Sequence, residues 1–162
     1  MTPPNLTDEQ FLRAALALSQ RSRDAGRHPF GAIVTDKHGT IIAEAMNDSL
    51  PPNGDPTRHA ELVAAATAAR VHGAAVCAGA TLYSSAEPCA MCAGAIYWSG
   101  IARVVYGLSE TRLLAITGSH PENPTLSLPC REVFARGQRA VEVLGPALED
   151  EAAAIHKGFW SG

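Results

Sequence analysis

The stretch from Ala80 to Tyr106, ATLYSSAEPCAMCAGAIYWSGIARVVY, reads as strand, helix, strand. Ala80 to Ser84 is rich in β-favouring side chains, Pro88 opens a helix that runs to Trp98 and is stopped by Gly100, and Ala102 to Tyr106 is β-rich again. Upstream, an alanine-rich helix is expected from His59 to about His72, preceded by a loop over residues 50–57. Earlier still, Gly31 to Thr35 and Thr40 to Met46 flank Asp36-Lys-His-Gly39, the pattern of a hairpin with glycine in its turn. A first helix from about residue 8 to 25 is expected to start on a capping box, with Thr7 as N-cap and Gln10 at the third position. Downstream come a short helix near Glu110 to Ile116, a long loop from Gly118 to Leu128 of the kind that serves as a lid, a strand at Ala140 to Leu144 and a helix from Pro146 to about His156. Strands alternating with helices imply an α/β layered domain, antiparallel at the start and parallel afterwards, and residues 1–162 show no internal repeat or boundary.

Composition agrees with a single folded globular domain. The chain has 162 residues, 46% hydrophobic and 18% charged, which is too apolar for disorder. Its formal net charge of -3 supplies no global basic field for phosphates. Arg21, Arg23 and Arg27 cluster near the end of the first helix, where cations suit the helix dipole. No run is apolar enough for a membrane span and no secretory pattern opens the chain, so a cytoplasmic location is expected. Four cysteines are too few and too uneven for a disulfide framework.

Two segments carry the chemistry, His59-Ala-Glu61 and Pro88-Cys-Ala-Met-Cys92, each at the start of a helix. A helix N-terminus carries partial positive charge and unpaired N–H groups, which favour thiolate over thiol. Cys89 and Cys92 are three apart and share a helix face. With His59 they make a Cys₂His set, typical of zinc sites that leave the fourth position to water. Glu61 is turned away from coordination and suits proton transfer from water to a substrate nitrogen. A structural zinc site needs a fourth protein ligand, and the other two cysteines, Cys77 and Cys130, read as small buried hydrophobes.

These motifs resemble those of the cytidine deaminase superfamily, whose base deaminases share the His-x-Glu and Pro-Cys-x-x-Cys signature. The resemblance runs from about Leu12 to Trp160. It is strongest to bacterial guanine deaminases and similar nucleobase or nucleoside deaminases, through Pro29-Phe-Gly-Ala32, Asn47, Asp55 to Glu61, Thr81-Leu-Tyr83 and Glu87 to Trp98. It implies a three-layer α/β/α fold with a five-stranded mixed sheet, one zinc ion, and a homodimer, because subunit contacts commonly wall such pockets. It also implies that Asn47 hydrogen-bonds the base, that the Ala60 N–H faces the base's polar edge, and that Phe30 and Trp98 stack on or wall the ring. Gly158-Phe-Trp160 resembles a tail that closes the pocket, in some relatives that of a neighbouring subunit, so Phe159 and Trp160 are expected there. Similar guanine deaminases hold the purine with a carboxylate after the fourth strand. An ungapped reading puts His120 at that place, with Glu122 and Glu110 as possible substitutes.

The reaction expected from the resemblance is deamination of a guanine-type purine, guanine to xanthine plus ammonia, on a small-molecule base or nucleoside. Alternatives are a tRNA adenosine deaminase, a cytosine deaminase, and a non-enzymatic zinc-stabilised module. A tRNA partner is disfavoured because the last helix carries Glu149, Asp150 and Glu151 against one Lys157.

Overall fold

A computed structural model describes residues 6–118 and 120–161. In chain order its elements are α1 Leu6–Asp24, β1 Gly31–Thr35, β2 Ile41–Met46, α2 Ala60–His72, α3 Ala74–Cys77, β3 Thr81–Ala86, α4 Ala90–Ser99, β4 Arg103–Leu108, α5 Glu110–Thr117, α6 Cys130–Ala135, β5 Glu142–Leu144 and α7 Glu149–His156. The five strands form one sheet in the order β2-β1-β3-β4-β5. β1 runs antiparallel to β2 and β3, whereas β3, β4 and β5 are parallel, so the sheet is mixed as expected.

The β1–β2 turn follows from its residues. Gly39 adopts φ +83, and the Asp36 carboxylate accepts from the N–H groups of His38 and Thr40, an Asx-type closure. The strand–helix–strand unit is β3, α4 and β4, and Gly100 ends α4 in the left-handed conformation at φ +83.

Side-chain alternation divides the interior in two. Ala32 and Val34 of β1, Leu82 of β3, and Val104 and Tyr106 of β4 pack with α2 and α4 residues such as Ala64, Ala68, Ala93 and Ile96. Ile33, Tyr83 and Val105, one residue out of phase, pack with Leu12, Ala15 and Leu18 of α1. α5 and α7 extend that second layer through Leu113 and Ala152.

Two local readings need correction. α1 begins at Leu6, so Thr7 lies within the helix and is not its N-cap. Asp8, in the first turn, accepts from Arg103 and from the Tyr83 hydroxyl, which pins the helix start to the sheet. The last helix starts at Glu149, three residues after Pro146, and the short helices α3 and α6 had no sequence expectation. No helix among the described residues is long and apolar enough to cross a membrane.

Candidate active site

The carboxyl ends of β2, β3 and β4 and the start of β1 lie along one edge of the sheet, and a cavity of about 420 Å³ opens there. Open α/β sheets place their ligand clefts at this edge. The walls include Phe30, Asn47, His59, Glu61, Glu87, Cys89, Met91, Glu110 and Glu122.

His59 is the N-cap of α2 and Cys89 the N-cap of α4, both in extended backbone. Their caps place the two side chains together, with Cys89 Sγ 3.7 Å from His59 Nδ1, and Cys92 joins them one turn into α4. Ligand atoms of the three residues lie within 4.8 Å of one another. The Cys92 thiol, followed by His59, holds the Cys89 thiol down at about 4, while the same hydrogen bond and burial push Cys92 up. Tetrahedral zinc with bonds of about 2.0 Å to nitrogen and 2.3 Å to sulfur requires a nitrogen–sulfur edge of roughly 3.5 Å. The observed edge and the soft donors therefore fit zinc.

Glu61 is 5% exposed, lines the cavity and stands outside the ligand group. Burial raises its carboxyl to about 7. His59 is not itself helical, so Glu61 owes its place to the first turn of α2 and not to a rotation between two helical residues.

Asn47 is buried at the end of β2. Its Oδ1 accepts from the Ser49 N–H at 3.0 Å and the Ser49 hydroxyl at 2.7 Å, which leaves the amide NH₂ as the group it offers to the cavity. Phe30 forms part of the wall and packs edge-on against His156.

Other expected contacts fall elsewhere. Ala60 is buried and is not on the cavity surface. Trp98 is 85% exposed beyond the cavity, because it follows buried Ile96 by two residues, a helical rotation of roughly 200°. His120 turns to the Trp160 ring at 5.2 Å, and Glu122, two residues on, reaches the wall in its place. Phe159 and Trp160 do not line the cavity; Trp160 is buried against His28, His120 and His156.

Two further wall residues, assigned no role from the sequence, bear on the site. His28 is 5% exposed and hydrogen-bonded to Glu122. Glu87 accepts from the N–H of Glu110 and of Cys130, each at 3.0 Å, holding the starts of α5 and α6. An acidic residue directly before Pro-Cys was the available signal for Glu87; His28 gave none. Burial and the neighbouring Cys89, Glu87 and Glu61 raise the Glu110 carboxyl to about 7.

Residues 6–108 match the cytidine and deoxycytidylate deaminase zinc-binding region. The chain belongs to this deaminase family. It is a zinc-dependent hydrolytic deaminase, and the match contains His59, Glu61, Cys89 and Cys92. Among deaminase relatives, a probable cytosine deaminase of Schizosaccharomyces pombe is 44% identical over 156 residues, 96% of this chain and 93% of that protein. The guanine deaminase of Bacillus subtilis is 43% identical over 107 residues, 65% of this chain and 67% of that protein. The solved structure of NE0047 in complex with 2,6-diaminopurine superposes with a TM-score of 0.77 at 28% identity, covering 98% of this chain and 84% of that one.

Proposed function

We propose that this deaminase acts on a free, uncharged amino-substituted nucleobase, with a guanine-type purine as its first candidate. The observation that carries the reading is the charge of the wall. Glu61, Glu87, Glu110 and Glu122 line the cavity, and no lysine or arginine does so among the described residues. A nucleotide phosphate or a tRNA backbone requires cationic partners, which this cavity withholds. The net charge of -3 adds to that argument. The NE0047 structure holds 2,6-diaminopurine, a free base, which supports the same class.

His59, Cys89 and Cys92 would hold zinc, whose Lewis acidity lowers the pKa of water to about 7. The Asn47 NH₂ donates to a ring acceptor, and Phe30 gives one apolar wall. Glu61 takes one proton from water and passes it to the ring nitrogen as the water oxygen bonds the amidine carbon, then carries the remaining hydroxyl proton to the amino nitrogen as the carbon–nitrogen bond breaks. Carbonyl product and ammonia result. A second reading, cytosine, is favoured by the S. pombe relative, because its similarity covers 96% of this chain, whereas the B. subtilis match covers 65%.

A homodimer belongs to this reading, with exposed Trp98 as a large apolar side chain available to a second copy; sedimentation of the zinc-loaded protein tests it. The substrate test measures ammonia released from guanine, cytosine, guanosine, deoxycytidylate and an anticodon stem-loop RNA. Release from a free base and none from the two phosphorylated substrates is expected. Turnover confined to deoxycytidylate or the RNA would overturn the proposal.

A further inference from the structure

The cavity rim contributed by residues 120–126 has little backbone support from the rest of the fold. Its wall residues run from Glu122 to Leu126. Among the described residues, the backbone hydrogen bonds of this stretch are local, His120 N–H to Thr117 O, Asn123 N–H to His120 O and Leu128 N–H to Leu126 O. Side chains must therefore position it. Among the described residues, the Glu122 carboxylate accepts from His28 Nε2 at 3.0 Å, and the His120 ring meets Trp160 at 5.2 Å.

Both contacts end at one place, since the His28 and Trp160 rings are 4.9 Å apart. His28 is fixed from behind, where its carbonyl accepts from the Ser22 hydroxyl at 2.7 Å and the Phe30 N–H at 2.8 Å. Trp160 is fixed by its indole N–H, which donates to His156 Nδ1 at 3.0 Å. Arg23 holds the chain before it by donating to the carbonyls of Ile155 and Lys157. A carboxylate only accepts, so His28 carries its proton on Nε2 in this pair.

We propose that His28 is a positioning residue for substrate affinity. Backed by Trp160, it seats Glu122 at the cavity rim and leaves Glu122 Oε2 to accept from an N–H of the heterocycle. The C-terminal tail thus acts on the pocket through His28 and the rim loop, without touching the substrate. The affinity part of the inference rests on the deaminase reading above, while the tether itself does not.

The experiment uses the zinc-loaded full chain and three variants. His28→Phe keeps a ring against Trp160 and removes the donor, His28→Gln restores an N–H donor, and Glu122→Ala removes the acceptor. Steady-state kinetics are measured on guanine and cytosine, and hydrogen exchange is followed in residues 120–126. His28→Phe is expected to raise KM about tenfold with kcat within about threefold, the signature of lost binding through a charge-assisted hydrogen bond. Exchange in the rim should rise with it, and His28→Gln should recover most of both. Glu122→Ala should match His28→Phe, and the double variant should be no worse than either. Unchanged KM and exchange in His28→Phe, or a double variant whose losses multiply, would overturn the proposal. If the parent releases ammonia from neither base, the functional reading fails, and the exchange difference between His28→Phe and His28→Gln decides the tether alone.

Discussion

Glu61 faces the cavity beside the three ligand residues, so its substitution separates proton transfer from metal binding. Glu61→Gln is expected to fold and hold zinc while turnover falls by roughly 10²–10⁴, the usual contribution of a positioned acid or base. Ammonia release and metal analysis check it, and a rate near the parent's would assign the proton to another group. Cys89→Ala and Cys92→Ala should instead lose zinc and stability together, because ligand binding and folding are linked. His156 presents a different chemistry. It is 1% exposed, faces Arg23, His28, Phe30 and Trp160, and burial lowers its imidazole from 6.5 to about 4. The unfolded chain takes up that proton near 6.5 and the folded chain only near 4, so between those values stability rises with pH. This group alone should make the protein about 2 kcal/mol less stable at pH 5 than at pH 7. Urea unfolding at both pH values measures the difference, and His156→Phe should remove that part of the slope.

At the scale of elements, Glu87 joins two helix starts. α5 also has a cap from the Ser109 hydroxyl, which accepts from Arg112 N–H, but the residue before α6 is Pro129, which offers no capping side chain. Glu87→Gln turns one acceptor into an NH₂ facing a backbone N–H and should cost about 1–3 kcal/mol in urea unfolding. Unchanged stability would mean that these bonds contribute nothing net. The same bond explains why α6 was illegible in the sequence, since its partner lies 43 residues upstream and no local pattern announces it. Elements whose signals are local were legible, such as the Asp36 turn, Gly100 ending α4, and the helix starts at His59 and Cys89. The ligand set was legible for the same reason, because helix caps put those side chains where their spacing implies. The tail's place was less legible, because aromatic residues announce packing without naming a partner; within this chain His28 stands between Trp160 and the rim loop.

For the whole molecule, zinc held by His59, Cys89 and Cys92 would join the start of α2 to the start of α4, two helices that also pack on each other. A ligand that binds only the folded state adds its binding free energy to stability. Chelation should therefore lower Tm, and returned zinc should restore it, in a thermal scan of the purified protein; an unchanged Tm would detach the metal from the fold. The alternation of side chains along β1, β3 and β4 has a consequence of another kind. The metal donors belong to the helices on one side of that wall, whereas Arg23, His156 and Trp160, which brace the rim, belong to the other. Changes in separate compartments with no shared partners combine nearly additively. Inheritance can then treat the two as separable traits. Under the proposal above, residues 28, 120–126 and 156–160 can vary while the donors on the far side of the sheet are passed on unaltered, the two meeting only at the cavity that both line.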